Sequence, residues 1–118
     1  MDSFVADAIF IDAPPERVFA AITEPLDLLA WMEAETAVVD MFEGGSYRVE
    51  KADGSTVSGT VTVYELDERL ELGDYYHEDE SGRRGPMSVQ FLLEFRDGGV
   101  WLTVRQDGLD AQPDWVPF

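Results

Sequence analysis

The sequence predicts an α+β fold built on one antiparallel sheet. Three observations support this. Seven short runs alternate or concentrate apolar residues as strands do. Helical spacing of apolar residues occurs only in residues 12–32, directly after the first run. The later runs follow one another through short turns, which favours a meander of neighbouring antiparallel strands.

Taken in order, residues 3–11 alternate two sets, Phe4/Ala6/Ala8/Phe10 and Val5/Asp7/Ile9/Ile11, and read as a strand. Asp12-Ala13-Pro14-Pro15-Glu16 reads as a helix start, because proline fits a first turn and acids favour the positive end of the helix dipole. Val18, Phe19 and Ile22 form one apolar face. Thr23-Glu24-Pro25 restarts the chain, and Leu26, Leu29 and Met32 are expected to form the apolar face of a second short helix ending near Trp31. Strands are then expected at 35–42, closed by Gly44-Gly45, and at 46–52, closed by the hairpin signal Asp53-Gly54. Further strands are expected at 56–66, 69–77, 87–96 and 99–106, with 78–86 as a polar loop. The tail 107–118 has two prolines and no helical period.

Composition bounds the function. A chain of 118 residues with 45% hydrophobic content fits one domain, 1–118, with a real core. It has no cysteine, so disulfides and thiolate metal sites are excluded. Met1 leads straight into Asp2 without a basic start or apolar run, and no segment reaches the ~20 apolar residues of a membrane helix. A cytoplasmic location is the expectation. The net charge of −17, from 25 acids against 8 bases, repels phosphate backbones and anionic bilayers, so neither nucleic acid nor membrane is an expected partner. The acids are scattered along the chain, as on a solvating surface; the same charge would also suit a basic protein partner.

Ile11-Asp12-Ala13-Pro14-Pro15-Glu16-Arg17-Val18-Phe19, followed by Thr23, Pro25, Leu29 and Trp31, resembles the opening of the START-like (SRPBCC) superfamily. Within it, the chain is most similar to the family named after the activator of the Hsp90 ATPase. Gly44-Gly45-Ser46-Tyr47-Arg48 resembles that family's Gly-Gly-x-Tyr-Arg strand. Gly59-Thr60-Val61, Glu68-Arg69-Leu70 and Gly98-Gly99-Val100-Trp101-Leu102-Thr103-Val104 fall where its later motifs would. The resemblance covers about residues 4–108. It implies a helix-grip (Bet v 1-like) fold, in which a curved seven-stranded sheet wraps a long C-terminal helix around a cavity. The chain departs from the family at Trp31-Met32, where a second aromatic is common, at Gln106, where many relatives carry histidine, and at its end, where that helix is expected to be absent.

An uncovered sheet has a physical consequence. Seven strands at ~4.8 Å spacing and ~20 Å length make a face of roughly 600–700 Å². Covering it is worth at most very roughly 15 kcal/mol, against a whole-domain stability of ~5–15 kcal/mol. Something is therefore expected to cover it: a second copy of the chain first, then the tail aromatics Trp115 and Phe118, or another partner.

Trp31, Tyr47, Val49, Val61, Phe91, Leu93, Leu102, Val104 and Gln106 are expected to line the concave face, either as the wall of a small-molecule cavity or as plain core or dimer packing. Asp7 is either a polar anchor, partnered by Arg48 or Arg105, or a solvated acid. His77, the only histidine, is either a general base or a polar residue at a strand end. Glu78-Asp79-Glu80 lacks the ligand spacing of a calcium loop and reads as solvated. Ser81-Gly82-Arg83-Arg84-Gly85 could clasp an anion or serve as a hairpin loop. Gly44-Gly45 and Gly98-Gly99 read as turns and not as a phosphate cradle, since no basic helix start follows either. There is no Gly-x-Ser-x-Gly elbow, and no acid–base–nucleophile set can be assembled. No metal or cofactor is expected. The expected role is non-catalytic binding of a small hydrophobic molecule. The alternatives are a co-chaperone or stress-type interaction module and a small cyclase- or hydrolase-like enzyme.

Overall fold

The computed structural model describes residues 4–108. The elements run β1 (Phe4–Ile11), α1 (Pro15–Thr23), α2 (Pro25–Trp31), β2 (Ala34–Val39), β3 (Ser46–Lys51), β4 (Thr56–Glu65), β5 (Arg69–Asp79), β6 (Gly82–Arg96) and β7 (Gly99–Asp107). The strands form one antiparallel sheet in the order β1-β7-β6-β5-β4-β3-β2. From β2 to β7 it is the expected meander. No helix follows β7 among the described residues, and the tail aromatics Trp115 and Phe118 lie outside them.

The pairing of β1 with β7, Phe4 opposite Asp107 through Ile11 opposite Val100, decides where the helices go. It puts β1 and β2 on opposite edges, six strand steps or about 29 Å apart. The chain between them must cross the sheet, and it does so as α1 and α2. α1 packs on β6 and β7, and α2 on β2. Register shifts between β4 and β5 and between β5 and β6, with Asp74 at φ 45°, mark bulges of the kind that bend and twist a sheet.

Local chemistry sets both helices. Pro15 occupies the first turn of α1, where its missing N–H costs nothing. At the other end, Pro25 holds Glu24 extended (φ −89°, ψ 129°), so α1 stops and α2 begins in a new direction. The Thr23 hydroxyl donates back to the Phe19 carbonyl at 2.8 Å. The expected apolar face of α2 is corrected here. Leu26 is 81% exposed, while Leu28 is fully buried with Met32. The phase of a seven-residue helix is set by the chain direction at Pro25, and that direction turns Leu28 onto the sheet.

Two boundaries also change. The strand expected at 35–42 ends at Val39, because residues 40–45 fold into a tight turn in which Phe42 N–H donates to Asp40 O (2.9 Å) and Gly45 N–H to Phe42 O (2.8 Å). The polar loop expected at 78–86 is mostly hairpin: His77 pairs with Arg84, Glu78 with Arg83 and Asp79 with Gly82. The Asp79 carboxylate accepts from the Ser81 hydroxyl and amide and closes the turn. The Arg83 guanidinium lies 3.7 Å from the centre of the Tyr76 ring. Local polar contacts thus extend both strands through a sequence without apolar alternation.

One core results. Val18, Phe19, Ile22 and Leu28 pack from the helices onto Tyr47, Val49, Val61, Leu70, Leu72, Val89 and Phe91 of the sheet. The concave face is therefore not bare, as strand count alone suggested. Its remaining large exposed apolar side chains among the described residues lie at the β1–β7–β6 end, at Ile9 (51% exposed) and Phe95 (66%), whose registers place them with Leu102 and Val100 on that face.

Candidate binding trough

The helices cross the face without filling it. Between them and the β1–β7–β6 end lies an open trough of about 820 Å³. Ile9 and Ile11 of β1, Phe91 of β6, Leu102 and Val104 of β7, and Val18 and Ile22 of α1 make its apolar walls. Asp7, Arg17, Asp27, Glu33 and Lys51 stand at its polar margins. Arg17 donates to Asp27 at 3.0 Å and ties α1 to α2 beside the trough. Both groups are partly exposed, so this pair contributes at most about 1 kcal/mol.

The predicted wall divides in two. Phe91, Leu102 and Val104 line the trough. Tyr47, Val49, Val61 and Leu93 are on the same face but belong to the packed core alone, whereas Phe91 and Leu102, 4% and 8% exposed, are core residues that also border the trough. They share that core with Val18, Phe19, Ile22 and Leu28 of the helices. Gln106 is 2% exposed, and its amide N–H points at the Met87 sulfur, 3.5 Å away. The side chain of Trp31 is not among those described. Sequence reading missed Ile9, Ile11 and the helix residues as walls. The i, i+4 pair Val18 and Ile22 was legible as an apolar face, but an apolar face does not reveal whether it meets side chains or a void.

Asp7 is exposed and lies in the trough, where its Oδ1 accepts from the Ala8 amide at 2.9 Å. The expected arginine partners are corrected. Arg105 stands opposite Ala6, on the other side of β1 from Asp7, and binds Asp107; Arg48 binds Glu50. His77 is elsewhere. It lies on β5, which is three strand spacings or about 14 Å from β1, so it and Asp7 do not form an acid–base pair. Among the described residues, no three His, Cys, Asp or Glu side chains gather to hold a metal ion, and no helix is long and apolar enough to cross a membrane.

Burial pushes the phenols of Tyr47 and Tyr75 up, with Tyr75 adding to the effect on Tyr47, so both keep their protons at neutral pH. The Tyr75 ring lies over Gly59, where a side chain would find it at 3.4 Å. Burial lowers the pKa of His77, opposed by the Asp79 carboxylate at 3.8 Å. The unfolded chain then takes the proton more readily than the folded one. The resulting stability is present above ~6.5 and is lost as pH falls through the folded value. Proton NMR of the single imidazole should give a midpoint below ~6.5; a midpoint at or above it would contradict the burial argument.

A curved seven-stranded sheet, with two short helices after its first strand laid across the concave face, defines a START-like, helix-grip domain. The chain belongs to the activator of Hsp90 ATPase homolog 1-like family, which matches residues 12–116. An uncharacterised protein of Sinorhizobium fredii, y4cE, is 31% identical over 96 residues, covering 74% of this chain and 25% of its own length. The chain thus spans about a quarter of that curated relative. Among solved structures, protein CV1439 from Chromobacterium violaceum superposes with a TM-score of 0.74 at 29% identity, covering 97% of this chain and 83% of that one. An uncharacterised protein from Rhizobium leguminosarum gives 0.77 at 18% identity, over 91% and 76% of the two chains.

Proposed function

We propose that this domain binds a small apolar molecule in the trough without transforming it. The observation that carries the reading is the trough itself. Its volume of about 820 Å³ falls within the ~300–1,000 Å³ of small-molecule pockets, and its walls are apolar with a few polar groups at the margins. Membership of a START-like family supports a ligand-binding or cyclase-like class of domain. A cyclase- or hydrolase-like reaction is disfavoured by the separation of Asp7 from His77.

Titration with the neutral fluorophore N-phenyl-1-naphthylamine tests the reading. Ile9→Glu places a charge on the trough wall at a half-exposed site, so the fold should survive. Its expected effect is at least a ten-fold loss of probe affinity, from burying an uncompensated carboxylate against the ligand. Unchanged affinity in a folded variant would overturn the proposal.

A second reading, that another copy of the chain covers this face, is favoured by the exposure of Ile9 and Phe95. Light scattering on the same two proteins separates it: a dimer that Ile9→Glu dissociates supports it, and a monomeric wild type removes it. An interaction module for a basic partner draws its support from the charge of −17 and from the family.

A further inference from the structure

The two edges of the sheet are built differently. β2, at one end, has six residues, carries Glu35 and breaks its register with β3 between Ala34 and Thr36. Shortness, charge and a bulge are devices that keep an edge strand from pairing with another chain. β1, at the other end, runs eight residues in unbroken register with β7, with neither proline nor bulge and with one charge, Asp7. Among the described residues no strand pairs with its free side. Every second residue of an antiparallel edge strand turns its N–H and C=O away from the ladder, so β1 presents a row of backbone groups ready for another strand.

The side chains of this edge are open on both faces. Ala6 through Phe10 are all exposed. On the inner face Ile9 is 51% exposed, and Asp7 makes no salt bridge among the described residues: Arg17 binds Asp27, and Arg105 binds Asp107. On the outer face Phe10 is 41% exposed, its ring 5.4 Å from that of Trp101 and seated on Gly99, where a Cβ would meet it at 2.7 Å. Size and charge decide what fits there. An eight-residue edge ~26 Å long and ~10 Å deep offers roughly 520 Å² in total, well short of the ~1,200–2,000 Å² of a stable interface between two folded proteins. Two copies at −17 each also repel one another. A single extended segment suits an edge of this size, and a basic one is attracted by the same charge.

We infer that the β1 edge takes up an extended, basic segment of another protein as an eighth strand. The segment's backbone continues the ladder. Its apolar side chains lie against Ile9 on one face and Phe10 on the other, and a lysine or arginine reaches Asp7. The inference does not depend on a ligand in the trough.

The heptapeptide acetyl-Lys-Val-Val-Val-Lys-Thr-Val-amide tests it, by calorimetric titration and by hydrogen exchange of the β1 amides. With peptide at about ten times its Kd, amides at alternate positions of β1 should exchange about ten-fold more slowly. Methylating every second peptide nitrogen should abolish binding in one phase and spare it in the other, because a strand pairs through one of its two edges. Glutamate in place of both lysines should weaken binding at least about ten-fold. Asp7→Asn should weaken the lysine peptide about two- to five-fold, the range of an exposed ion pair. Absence of binding, binding that leaves the β1 amides unprotected, or equal binding of the glutamate peptide overturns the inference. So does a wild-type dimer whose β1 amides are already protected, which gives the edge to a second copy. The fluorophore titration reads the trough separately, so failure of one reading is not failure of the other.

Discussion

Gly45→Ala should destabilise the fold by at least about 3 kcal/mol, and Gly45→Val should not accumulate as folded protein. A Cβ at this position would fall on the Asp40 carbonyl oxygen and come within 2.9 Å of the Asp40 carbonyl carbon and the Phe42 oxygen. All three are backbone atoms, so no side chain can swing away. Nor can the turn shift cheaply. Gly44 N–H donates to Val61 O at 2.7 Å, and Val61 N–H donates to Gly45 O at 2.9 Å, which pins the turn to β4 from both sides. Gly44→Ala is the control. Its φ of +93° is strained for alanine, but open space surrounds it, so about 1–2 kcal/mol is expected. Denaturant unfolding of both variants measures the difference. Gly45→Ala within 1 kcal/mol of wild type would show that the turn relaxes.

Leu28→Ala should cost about 2–5 kcal/mol, or roughly 10–20 °C in Tm for a domain of this size. Leu28 is fully buried, and it is the residue through which the seven-residue α2 docks. A helix that short does not hold itself in water. Loss of its anchor therefore frees the element that carries Asp27 and Ala30 into the trough wall, and probe affinity should fall together with Tm. Leu26→Ala, at an 81%-exposed position of the same helix, should change neither appreciably. Calorimetry with a parallel probe titration checks this. Equal effects at the two positions would return α2 to the phase that its sequence suggests.

Where each element lies was legible because local physics dictates it. Period-two alternation, the prolines at 14, 15 and 25, and the Asp-Gly pairs act within a few residues of themselves. At Asp97-Gly98, φ values of 60° and 81° are those that the tightest hairpin turn demands. At 78–86 a hairpin loop was legible, but the extension of both strands through it was not. Its register rests on Arg–acid and Arg–Tyr contacts across the turn, which leave no apolar period.

The sequence by itself determined the order of strands and helices and most of the alternation that puts Tyr47, Val49, Val61, Phe91, Leu93 and Leu102 on the inner face. Which inward residues form core and which form the trough was decided only by tertiary structure. The deciding step is the pairing of β1 with β7, a contact between the two ends of the described chain that no local pattern encodes. That pairing sends α1 and α2 across the concave face, with Tyr47, Val49, Val61 and Leu93 in the shared core and Ile9, Leu102 and Val104 along the trough.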